Sequence, residues 1–166
     1  LGVYISDFER EFTDRTLSIL DELGTGIEKY EVTLLINLCI GLITLPNEYS
    51  KRNNSTFSKF LMDKYNGIRV QDVLSTIEAG KGVIKIETTI YKNILNVPYV
   101  DYLRKLRNAI SHGRVEFSGE ENIISSITLS DKDNSYITLE VEELKMISRN
   151  IANVHLNFFD YIKAKY

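Results

Sequence analysis

Cross-linking and metal-holding residues are scarce in this chain. One cysteine and two histidines among 166 residues exclude an internal disulfide and leave too few soft ligands for a structural zinc site of the usual kind. Cys39 lies in an apolar run, where a free cysteine behaves as a small buried hydrophobe, and a lone thiol suits a reducing cytoplasm. Neither a metal nor a cofactor is expected. A long hydrophobic run is missing too. The greasiest segment, residues 32–45, is interrupted by Thr33, Asn37 and Thr44 and falls short of the ~20 residues that span a bilayer, so it reads as a core helix. The first residues lack the basic start and apolar stretch of a signal peptide, which points to a cytoplasmic location rather than secretion or a membrane. Excess positive charge is also absent. With 20 Lys and Arg against 23 Asp and Glu, the chain cannot coat nucleic acid through a broad basic face, since that mode neutralises many phosphates. Only a local basic pocket remains open to it.

What is present is an ordinary globular balance, 43% hydrophobic and 26% charged residues, in a length that supports one core. A single mainly α domain over residues 1–166 is expected. Ser6 or Asp7 caps a first helix carrying Phe8, Phe12, Leu17, Leu20 and Leu23 until the Gly24-Thr25-Gly26 break. A second helix covers residues 31–45 and stops near Pro46, because a proline disfavours helix in the residue before it. Residues 47–56 then form a polar connection. Phe57, Phe60, Leu61 and Tyr65 mark a short helix, and residues 70–77 another. In residues 82–91 strand and helix compete.

From Pro98 a further helix sets Val100, Leu103, Leu106 and Ile110 on one face and ends at Gly113. A β-hairpin is expected within about residues 114–141, its strand-like runs at 123–129 and 136–141 separated by Asp131-Lys132-Asp133-Asn134. The chain closes on a long amphipathic helix with Leu144, Ile147, Ile151, Val154, Phe158 and Ile162 at helical intervals. The glycine turns at 24–26 and 80–82 lack the pattern of a phosphate-binding loop. Adjacent carboxylates such as Glu120-Glu121 and Glu142-Glu143 diverge on a regular element, so they are assigned to solvent or capping rather than to paired acid and base.

Chemistry concentrates at the end of the helix that begins near Pro98. Arg104, Lys105, Arg107, His112 and Arg114 crowd one short stretch, giving a positive field within an acidic protein. Asn108 and His112, four apart, share a helix face, and Arg107 lies about 100° away. These residue types suit cleavage of an RNA phosphodiester by its own 2′-hydroxyl, which needs proton transfer and charge stabilisation but no metal. An imidazole gives or takes a proton near neutrality. A guanidinium matches phosphate oxygens and stays charged as negative charge builds. His155, flanked by Val154 and Leu156, reads as a packing residue, and the aromatic run Phe158-Phe159 with Tyr161 reads as core.

Arg107-Asn108-Ala109-Ile110-Ser111-His112, set at a helix end in a mainly helical chain, resembles the RNxxxH signature of the HEPN superfamily. Looser similarity in residues 33–37, Gly41-Leu42 and Leu45-Pro46 extends it. The resemblance implies a HEPN-like helical bundle, and a hairpin before the last helix is associated with one bacterial branch. Many members are metal-independent endoribonucleases of toxin–antitoxin and abortive-infection systems. Carried over, Arg107 and His112 are the essential pair and Asn108 the polar residue beside the arginine; Arg104, Ser111 and Arg114, by their place next to these residues, are the candidates to contact RNA. Active sites of this family are commonly shared between two subunits, so the resemblance implies a homodimer, and an antitoxin protein as a possible partner. The alternative it leaves open is a non-catalytic module binding RNA, a nucleotide or an antitoxin.

Overall fold

A computed structural model of the protein describes residues 8–22, 29–78, 94–120, 123–132 and 135–165. Among them the order is α1 (Phe8–Glu22), α2 (Lys29–Arg52), α3 (Asn54–Tyr65), α4 (Val70–Glu78), a 3₁₀ turn (Ile94–Asn96), α5 (Tyr99–Ser111), strands β1 (Val115–Glu120), β2 (Ile123–Ser130) and β3 (Tyr136–Glu140), and α6 (Val141–Lys163). The structure is thus mainly helical, with a small sheet before a long last helix, as the pattern of the sequence leads one to expect. The ambiguous segment 82–91 and both glycine turns lie outside the described residues.

The apolar run of α2 is enclosed by its own chain. It packs against α1, α5 and α6, which buries Leu35, Ile36, Cys39, Leu42 and Ile43 while Leu34 stays outside. At about 1.5–3 kcal/mol for each large side chain withdrawn from water, this row is a major source of cohesion. Burial in a desolvating core pushes the Cys39 thiol up to about 11, so it is held as an inert thiol. No helix among the described residues is long and apolar enough to cross a membrane.

Two expectations about α2 are corrected. The helix does not stop at Pro46 but continues to Arg52, and residues 47–52 are helical rather than a connection, leaving Asn53 alone before α3. A proline removes one N–H donor and crowds the carbonyl a turn earlier, which costs about 3 kcal/mol in an unsupported helix interior. Support comes here from outside the helix. The buried Asn47 donates its side-chain amide to the Leu103 carbonyl of α5 at 2.6 Å, and Ser50 is buried one turn later. Tertiary contacts therefore hold the extra turns in place against the local preference.

The buried face of α1 is also different from the apolar pattern. Thr13, Thr16 and Leu20 face inward, whereas Phe8 is 52% exposed. A threonine can occupy such a position once its hydroxyl is satisfied, and Thr13 donates to the Glu9 carbonyl at 2.7 Å. The expected hairpin gains a strand, forming an antiparallel sheet in the order β1-β2-β3. β1 lacks apolar alternation because most of it is exposed; pairing with β2, including Phe117 opposite Ile127, defines it. Ile127, Leu129, Ile137 and Leu139 turn inward, and the sheet rests against α5 and α6. At the start of α6 the Glu143 carboxylate accepts the Glu140 backbone N–H at 2.8 Å, so this carboxylate serves as a cap.

Candidate functional site

The end of α5 is built by three backbone bonds. His112 donates its N–H to the Asn108 carbonyl, Gly113 to Ile110, and Arg114 reaches back to Ala109 at 2.8 Å. Gly113 adopts φ +64°, a left-handed conformation that glycine enters without a Cβ penalty. This is a Schellman closure, and it leaves His112 as the cap residue just past Ser111, the last residue of the helix. Leu103, Leu106 and Ala109 bury the opposite side of α5. Ser111 and His112 are exposed. The His112 ring makes no hydrogen bond or ion pair among the described residues.

Folding changes the electrostatics read from the local sequence. Each of the three arginines meets a carboxylate, so the stretch is less positive than its own composition suggests. Arg104 bonds Asp101 at 2.9 Å on the helix surface. Arg114 reaches Asp131, beyond β2, at 3.4 Å. Arg107, with a side chain only 14% exposed, pairs with Glu48 of α2. Its other amino group donates to the Asn108 side-chain oxygen at 2.8 Å. The hydrogen bond from Arg107 outweighs partial desolvation and holds the Glu48 carboxyl below its ordinary range. Lys105 donates to the Ser135 hydroxyl at 3.0 Å.

Of the residues singled out in the sequence, the fold thus joins Arg107 to Asn108 and leaves His112 and Ser111 open to solvent on the same helix. Asn108 holds the guanidinium, rather than the imidazole, in place. Arg107 and Arg104 also line a pocket of about 260 Å³ between the end of α2, the start of α3 and α5. Glu48, Ser50 and Lys51 carry much of the site's remaining polar chemistry and are not legible as site residues from the sequence. The one available signal was the polar composition of residues 47–54, which reads as a loop once α2 is ended at Pro46.

His155, by contrast, is fully buried in α6. Its ring stacks on Phe57 at 5.5 Å, and Nδ1 donates to the Ile151 carbonyl at 2.8 Å. Nε2 is buried without a partner. Desolvation therefore dominates and pushes the imidazole down to about 4, so it is neutral at physiological pH. The expectation of a packing residue holds. Phe158 and Phe159 are likewise core.

The model of the family described as HEPN pEK499 p136 matches residues 3–162. No curated protein and no solved structure matches the chain.

Proposed function

Because the chain belongs to the HEPN pEK499 p136 family, we propose that it is a metal-independent endoribonuclease of bacterial defence or toxin type, working in the cytoplasm as a homodimer. The observation that carries this reading is the pairing of a fixed guanidinium with an accessible imidazole on the last turns of one helix. Asn108 and Glu48 hold Arg107, while His112 stands exposed at the helix end. Pre-positioned charge of this kind stabilises a phosphorane-like transition state without reorganising during the reaction.

In the proposed step the 2′-oxygen of one ribose attacks the adjacent phosphorus and the bond to the 5′-oxygen breaks. The products are a 2′,3′-cyclic phosphate and a 5′-hydroxyl. Two copies supply two imidazoles, one taking the 2′-hydroxyl proton and the other protonating the departing 5′-oxygen. Arg107 meets the charge that builds on the non-bridging oxygens, and Arg104, Ser111 and Arg114 guide the strand. Arg107 does this from where Asn108 and Glu48 hold it, through the 14% of its side chain that stays exposed.

The engagement of Arg107 by Glu48 also favours a second reading, in which the pair is locked and the module binds RNA, a nucleotide or an antitoxin protein without turnover. The two are separated by incubating a labelled RNA, and DNA of the same sequence, with wild type, Arg107→Ala and His112→Ala in EDTA. Cleavage of RNA alone, lost in both variants, is the expected result. Cutting that survives both substitutions removes the proposed site, and retention of RNA without cutting supports the binding module.

A further inference from the structure

The pocket beside Arg107 has features that cleavage at Arg107 and His112 does not use. Its volume of about 260 Å³ lies just below the range of roughly 300–1,000 Å³ common for drug-sized ligands, so it suits a group no larger than one nucleotide. Phe57, Val100 and Leu103 give it apolar walls, and its charged lining is Lys51, Arg107 and the ion pair of Arg104 with Asp101, Arg107 being held by Glu48. Asn54, the first residue of α3, stands at its edge. That helix start carries no side-chain cap; the Asn53 amide donates instead to the Tyr49 carbonyl of α2 at 3.1 Å. The N–H groups of the first turn of α3 are thus left to an outside acceptor, with the positive end of the helix behind them.

A second observation is independent of the helix end. Ser50 lines the same pocket and is 3% exposed, yet its hydroxyl has no hydrogen-bond partner among the described residues. A buried hydroxyl without a partner is costly, and the cost is recovered when a ligand supplies the missing bond. An apolar slot with an unspent hydroxyl, an uncapped helix start and the Lys51 ammonium together match the parts of a nucleotide: a flat base, a polar edge and a phosphate.

We propose that this pocket receives one nucleotide of the RNA strand next to the scissile phosphate, its base between Phe57 and Val100 and its phosphate toward Lys51 and the first turn of α3. The inference rests on the RNA-cleaving reading for its choice of RNA. Ser50 and the Asn54 side chain then read the edge of the base and give the site a base preference, while Arg107 is shared between the pocket and the phosphate that is cut.

The test is an amide NMR titration of His112→Ala with a short single-stranded RNA, and separately with each ribonucleoside 5′-monophosphate, with fluorescence anisotropy for affinity. The RNA is expected to shift the signals of Ser50, Asn54 and Phe57. Lys51→Gln and Ser50→Val are each expected to weaken RNA binding about tenfold, whereas Lys59→Gln, outside the pocket on α3, leaves it unchanged. Lys51 is exposed, so its substitution keeps the test alive if Ser50→Val fails to fold. RNA that leaves these amides unmoved, or affinity indifferent to Lys51→Gln, overturns the inference even if Arg107 and His112 cut RNA. A monophosphate that binds here more tightly than RNA overturns the assignment to a strand. Filling of the pocket by RNA that wild type never cuts refutes the nuclease and leaves this subsite standing.

Discussion

His112 and His155 are the same side chain on two helices of one fold, and their surroundings assign them opposite work. At the end of α5 the Gly113 closure leaves His112 exposed to solvent. In the middle of α6, His155 is sealed between Ile151 and the Phe57 ring and held neutral by burial. Availability rather than residue type decides which imidazole can do chemistry. The arginine five residues before His112 shows the converse: Arg107 is nearly buried and held in place, so that in the proposed cleavage its charge is already in position.

The largest effect expected from breaking this comparison lies at the fixed guanidinium. Arg107→Ala should lower RNA cleavage by about a hundredfold or more, the loss typical of removing one preorganised charge donor, as read from single-turnover rates on labelled RNA. Arg107→Lys should recover little, because a point charge cannot span both Asn108 and a phosphate.

At His155 the expected effect is on stability. The folded pKa of about 4 lies below the ordinary value of 6.5, so the unfolded chain binds the proton more readily. This contribution is complete above pH 6.5 and lost as pH falls toward 4. The gap corresponds to roughly 3 kcal/mol. Urea unfolding of wild type and His155→Leu between these pH values should show the dependence in wild type and its reduction in the variant. A wild-type stability that does not fall across this window would remove the account of His155.

Those two histidines were legible in the sequence because local signals decide them: a glycine closes the helix after His112, and apolar neighbours surround His155. The end of α2 was not. A rule about the residue before proline ended that helix at Pro46, while the contact that carries it onward, Asn47 to Leu103, joins residues 56 apart. The same hidden extension brings Glu48 to Arg107, 59 residues away, and converts a run of free cations into a set of ion pairs. β1 escaped as a full strand for a related reason, since an exposed edge is defined by pairing with β2 and not by its own alternation.

Glu48→Gln sharpens the contrast between a held and a released Arg107. Removing this carboxylate should raise RNA affinity several-fold in anisotropy titrations, with the gain shrinking as salt rises. Stability should change by less than about 1 kcal/mol, because the Glu48 side chain is 41% exposed. An affinity that falls would mean that Glu48 orients Arg107 for the phosphate instead of restraining it.

Gly113→Ala is the smallest change. Nothing lies within 4 Å of an added Cβ, but φ is +64°, so the expected cost is conformational, about 1 kcal/mol in thermal or urea unfolding. RNA cleavage should fall with it only if the closure sets the direction of His112.

The central claim, that the exposed imidazole at the end of α5 transfers protons during RNA cleavage, is tested most directly by the single-turnover rate of His112→Ala against wild type in EDTA, with the product ends identified. The account predicts that wild type leaves 2′,3′-cyclic phosphate ends, that His112→Ala is slower by about a hundredfold, and that the variant's melting temperature is unchanged. A His112→Ala protein that cuts RNA at the wild-type rate would contradict it.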